Sequence, residues 1–108
     1  MARVLVVEDN ADICMTLATL CEMWRHEVAT ALTARQALAT VAAFEPAIVV
    51  LDVTLPSELD GMNLVRRLRA GDSTLYIIAL STWTTPASRA RARMAGASVC
   101  MTKPPDLD

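Results

Sequence analysis

Along the chain, continuous apolar runs alternate with segments whose apolar residues recur every three or four positions. Arg3 to Val7 (RVLVV), Ala47 to Leu51 (AIVVL) and Leu75 to Leu80 (LYIIAL) are short runs with no polar alternation. A strand apolar on both sides is covered on both sides, which predicts a parallel sheet. Glu27 to Thr30 and Ser98 to Met101 are fainter strand candidates. Between the runs, Ile13, Leu17, Leu20 and Trp24 fall on one helical face, with Asn10 or Asp12 as cap. Ala34, Ala37, Leu38 and Val41 mark a second helix, capped by Thr33 and ended before Pro46. Leu64, Val65 and Leu68 mark a third, from about Asp60 to Ala70, stopped by Gly71. Pro86 to Ala95 predicts a fourth, with proline in its first turn and Gly96 beyond its end.

Strand and helix alternate throughout, so the expected class is α/β with a parallel sheet. Right-handed crossovers leave few windings. The expected architecture is a flavodoxin-like, doubly wound five-stranded sheet in the order 2-1-3-4-5. The chain of 108 residues suits one domain, and 54% hydrophobic residues supply its core.

Charge and composition exclude several functions. No apolar run approaches the roughly 18 residues of a membrane span, and Met1 to Leu5 leads straight into strand-like sequence rather than a signal peptide. A net charge of −2 gives no general attraction to nucleic acid. The three cysteines, Cys14, Cys21 and Cys100, sit in apolar stretches without a CxxC, so free thiols in a reducing cytoplasm are expected. His26 is the single histidine, so a zinc site is not expected. The six methionines read as core fillers, and Arg66, Arg67, Arg69, Arg89, Arg91 and Arg93 as solvated helix faces or partner contacts.

The chemistry is concentrated at strand ends. In sheets of this kind ligands bind beyond the carboxyl ends of the strands, where strand order reverses. There the first strand ends in Glu8-Asp9 and the third in Asp52. Three carboxylates in one crevice repel unless a cation joins them, and Mg²⁺ accepts carboxylate oxygens together with a phosphate oxygen. The fourth strand delivers Ser81 and the fifth Lys103 to the same edge. An acid pair, a lone aspartate, a hydroxyl and an ammonium suit attack by Asp52 on phosphorus, with Ser81 and Lys103 bonding the phosphoryl oxygens.

With VVEDN (Val6 to Asn10), LDVTLPSELDG (Leu51 to Gly61), ALS (Ala79 to Ser81) and TKP (Thr102 to Pro104), the chain resembles the receiver domains of two-component response regulators over essentially its whole length. The resemblance implies that Asp52 is the phosphoacceptor, supplied by a histidine kinase or phosphotransfer protein. It implies Mg²⁺ held by Asp9, Asp52 and the backbone carbonyl of Thr54, with Glu8 assisting through water. Ser81 becomes the switch hydroxyl and Lys103 the phosphate-pairing lysine, aimed by a cis Lys103–Pro104 bond. Such a domain is a signalling switch rather than an enzyme, with slow self-dephosphorylation as its only hydrolysis.

The chain departs from the family in three ways. The switch aromatic expected three residues before Lys103 is Cys100, and Trp83 could substitute for it by position alone. The sequence stops at Asp108, where the family continues into a last helix; Asp106 or Asp108 would lie near its cap. Half of one sheet face is then expected to be bare, and a homodimer could form through it or through the face of the fourth helix and fifth strand. The LPSELDG loop is one residue longer than the common spacing.

The chief alternative is a receiver-like docking or dimerisation module that works without phosphorylation. A phosphatase of the haloacid-dehalogenase type wants an aspartate where Thr54 stands. A flavin or nucleotide binder wants a glycine-rich loop where Glu8-Asp9-Asn10 would repel phosphate.

Overall fold

The computed structural model describes residues 1–54, 58–82 and 84–103, the side chains of 58 and 59 excepted. In chain order the elements are β1 (Arg3–Val7), α1 (Ala11–Met23), β2 (Glu27–Ala31), α2 (Ala34–Phe44), β3 (Ile48–Asp52), α3 (Glu58–Gly71), β4 (Tyr76–Ser81), α4 (Pro86–Ala95) and β5 (Val99–Thr102). All strand pairs are parallel, and the sheet order is β2-β1-β3-β4-β5. This is the flavodoxin-like winding that the apolar runs predict.

The runs of β1 and β3 are apolar throughout because helices pack on both faces of the sheet there. One face, carrying Leu5, Val7, Val49, Leu51, Ile77 and Ala79, packs with α2, α3 and α4 into the main core. The other, carrying Val4 and Val6, packs against Cys14, Leu17 and Cys21 of α1. The helix starts follow the predicted caps. Asn10 accepts from the backbone N–H groups of Asp12 and Ile13, and Thr33 from that of Gln36. Thr85 and Ser88 close a reciprocal capping box on α4.

Two expectations about packing are corrected. The stripe Ile13-Leu17-Leu20-Trp24 is not the buried face of α1: Leu20 is 41% and Trp24 71% exposed. The buried residues of α1 are the small Cys14 and Ala18, and of the stripe Leu17 packs beside Cys14. The methionines are not core fillers either. Met62 is buried, whereas Met1, Met15, Met23, Met94 and Met101 are exposed.

The α1 face is covered unevenly. Register places Tyr76 beside Ile48, and Met101 beside Leu80, on the side where α1 lies over β1 and β2. Among the described residues no helix covers Tyr76 and Met101, which are 48% and 49% exposed. Likewise, no helix of the described residues is long and apolar enough to cross a membrane. Trp83, residues 55–57 of the LPSELDG segment, the Lys103–Pro104 bond and the cap positions Asp106 and Asp108 lie outside the described residues.

Candidate functional site

Sheet pairing continues one residue further than the apolar runs at β3 and β4, and the chemistry sits in that extra residue. Asp52 pairs with Leu80, and Ser81 with Thr102. Beyond them the backbone N–H of Val53 donates to Leu80 O at 3.0 Å and that of Lys103 to Ser81 O at 2.8 Å. On the other side of the switch point, the N–H of Glu8 donates to Ala31 O at 3.0 Å. The strand ends are therefore level, and Glu8, Asp52, Ser81 and Lys103 are all buried at one edge.

Their side chains converge. Lys103 Nζ lies 2.8 Å from Asp52 Oδ2 and 3.2 Å from Glu8 Oε2. Asp52 Oδ1 accepts two bonds from Thr54, at 2.9 Å from its backbone N–H and 2.6 Å from its hydroxyl. Glu8 Oε1 accepts from the N–H of Asn10 at 3.2 Å, tying the acid to the start of α1. Glu8 Oε2 is buried and receives no aligned hydrogen bond among the described residues.

The two carboxylates titrate in opposite directions. Burial, followed by the bond to Asp52 and repulsion from it, pushes Glu8 up to about 7. Burial also acts to raise Asp52. The Lys103 ammonium and the two Thr54 bonds outweigh it and hold Asp52 below the usual carboxylate range. Burial acts to lower Lys103, but its bonds to Asp52 and Glu8 keep its pKa above the ordinary lysine value. One ammonium thus serves two acids, and proton retention by Glu8 relieves the residual charge.

Asp9, exposed at the mouth, completes the acid set. Glu8, Asp9 and Asp52 offer carboxylate oxygens within 4.8 Å of one another. The donors are hard oxygens, one of them buried without an aligned hydrogen bond, and they fit a small divalent cation such as Mg²⁺.

The structure brings together Glu8, Asp9, Asp52 and Lys103, as the strand ends predict, adds Thr54 beside Asp52, and sets Ser81 at the same edge beside Asp52's partner Leu80. The hydroxyl of Thr54 was not foreseen; its backbone carbonyl alone was expected to matter. A local signal existed. The spacing Asp-x-Thr recurs at Asp72, whose Oδ1 accepts from Thr74 N–H at 2.8 Å and Thr74 Oγ1 at 2.7 Å. Both are turns in which a side chain bonds the backbone two residues on.

Cys100, in the place of the expected aromatic, is buried in the main core. It borders a cavity of about 180 Å³ that Val53, Thr54, Met62 and Ser81 also line. Gly61 sets how closely α3 approaches the site, since a Cβ there would lie 1.9 Å from Val53 O.

Comparison with known proteins agrees with this geometry. The family model described as "Response regulator receiver domain" matches residues 4–108. The transcriptional regulatory protein PrrA of Mycobacterium bovis is 35% identical over 102 residues, covering 94% of this chain and 43% of PrrA. This chain therefore spans less than half the length of that relative. The chemotaxis protein CheY4 of Vibrio cholerae superposes with a TM-score of 0.89 at 28% identity, covering 99% of this chain and 92% of that one. The BeF3-activated N-terminal receiver domain of Klebsiella pneumoniae RstA superposes with a TM-score of 0.84 at 26% identity, covering 97% and 90%.

Proposed function

The chain belongs to the response regulator receiver domain family, and from that premise we propose that Asp52 accepts a phosphoryl group from a histidine kinase or phosphotransfer protein, altering which partners the domain binds. The observation that carries this reading is the Lys103–Asp52 contact of 2.8 Å at a buried carboxylate kept ionised. An ionised carboxylate is a nucleophile, and its burial limits competition from water.

In the proposed reaction an Asp52 oxygen attacks phosphorus. The bond from phosphorus to the donor imidazole nitrogen breaks, and the imidazole leaves neutral after taking a proton. Thr54 holds Asp52 in place through Oδ1. Lys103, already beside Oδ2, would shift to a phosphoryl oxygen, and the Ser81 hydroxyl would bond another. Glu8, Asp9, Asp52 and the Thr54 carbonyl would hold Mg²⁺, which when bound neutralises carboxylate and phosphoryl charge. No further hydrolytic machinery is invoked, so the domain acts as a cytoplasmic switch that dephosphorylates itself slowly. The relative RstA, BeF3-activated in its solved form, supports the same reading here.

Trapping tests it. Borohydride reduces an aspartyl-phosphate to homoserine, so treatment after incubation with phosphoramidate and Mg²⁺ should place homoserine at position 52. Homoserine at another acidic position, or at none in folded protein, would contradict the assignment.

A further inference from the structure

A groove with a volume of about 750 Å³ lies away from the strand ends, between α2 and α3. Its floor is apolar, formed by Ala34 and Leu38 of α2 and the buried Leu64 of α3. Its rims are basic: Arg35 stands on the α2 wall, and Arg66 and Arg67 on the α3 wall. Among the described residues, Asp60 is the only acid lining it. The local charge is therefore opposite in sign to the chain's net −2.

These arginines are not consumed by the fold. Arg66 donates to Asn63 Oδ1 at 2.8 Å, a neutral partner one turn back. For the side chains of Arg35 and Arg67, no hydrogen bond or ion pair occurs among the described residues. Arg69 provides the contrast within the same helix: its guanidinium donates to Gly96, Asp72, Ser73 and Ser98. Guanidinium groups facing one another across an apolar trough repel, and removing the trough from water requires a partner that brings both carboxylates and an apolar anchor.

We propose that the α2–α3 groove docks an acidic, amphipathic segment of a partner protein, seating apolar side chains on Leu38 and Leu64 between carboxylates paired to Arg35 and Arg67. Helix-in-groove recognition uses this combination of apolar floor and charged rim. A nucleotide fits less well, because among the described residues no aromatic ring lines the groove to stack a base and the guanidinium groups sit on exposed rims. The residues that line the groove do not include Glu8, Asp9, Asp52, Ser81 or Lys103.

The test uses two fluorescein-labelled helical peptides, one of glutamate and leucine and one with glutamine replacing glutamate, read by anisotropy and by amide chemical shifts. The glutamate peptide should bind, shift amides in 33–38 and 60–67, and weaken as salt rises. Arg35→Glu with Arg67→Glu should lower its affinity about tenfold or more with an unchanged melting temperature, because both side chains are exposed. Arg93→Glu, on the exposed side of α4, should leave it unchanged. Equal binding of both peptides, shifts confined to the exposed sheet half, or no binding would overturn the proposal. So would ATP shifting the groove amides where the peptide does not, which would make the occupant a nucleotide.

Discussion

Lys103 Nζ and Asp52 Oδ2 meet at 2.8 Å across the width of β4, joining the ends of two strands that do not touch each other in the sheet. The same ammonium lies 3.2 Å from Glu8 Oε2. Without a bound cation, this lysine is the counter-charge that lets two acids share a buried edge. Replacing it by methionine leaves both acids facing each other. Breaking a buried pair from one side costs about 3 kcal/mol, so Lys103→Met should lower urea stability by that order in EDTA. Mg²⁺ should recover more stability in the variant than in the wild type. Equal response of the two proteins to Mg²⁺ would separate the lysine from the cation site.

Glu8 makes the cation-free domain sensitive to pH. Its pKa is raised from the ordinary 4.5 to about 7 in the folded state. Between those values the folded protein binds more protons than the unfolded chain, so stability falls as pH rises through that window. Asp52 works the other way. Held below its ordinary 3.8, it contributes stability above that pH which is lost in stronger acid. Melting temperature measured in EDTA should therefore decline from about pH 5 to pH 7.5, and Glu8→Gln should flatten the decline. A wild-type curve that is flat or rises in EDTA would contradict the shared-proton account.

Arg69 should matter for stability but not for chemistry. Its Nε donates to Gly96 O at 2.9 Å, Nη1 to Asp72 O and Ser73 O, and Nη2 to Ser98 Oγ. It thereby fastens the end of α3 to the turn between α4 and β5. Arg69→Ala should cost about 2 kcal/mol in urea unfolding, and Arg69→Lys should recover less than half, because an ammonium does not reproduce the planar fork. The folded variant should still be modified at Asp52.

Gly61 is limited by contact rather than by backbone angle. An added methyl would meet the carbonyl of Val53, the residue after Asp52. Because the obstacle is backbone, α3 has to move. Gly61→Ala should cost about 2 kcal/mol or more and slow modification of Asp52 in the protein that remains folded. By contrast Gly71→Ala, with nothing within 4 Å of the added carbon, should be stable.

The fold is legible where burial is two-sided. Arg3–Val7 was bounded to the residue because its apolar run coincides with its pairing. Ile48–Asp52 and Tyr76–Ser81 extend one residue past their apolar runs, since Asp52 and Ser81 keep strand pairing while carrying polar side chains. The site was readable because topology alone brings these ends together. Side-chain size is a poor guide on α1: Leu20 and Trp24 of the apolar stripe are exposed, whereas the small Cys14 and Ala18 are buried. Sequence also treated Arg69 like its basic neighbours. Its partners at Gly96 and Ser98 are distant in the chain and appear only once α3 and the turn after α4 are packed. The Thr54 hydroxyl bonds Asp52 within a local turn, a contact that strand order and hydrophobic pattern do not report.

The most direct test of the central claim is intact mass after incubation with phosphoramidate, with Mg²⁺ or with EDTA, for the wild type and for Asp52→Ala. The account predicts a single phosphoryl adduct on the wild type with Mg²⁺, little in EDTA and none on the variant. An unmodified wild type that is folded and supplied with Mg²⁺, or an adduct that persists on Asp52→Ala, would contradict it.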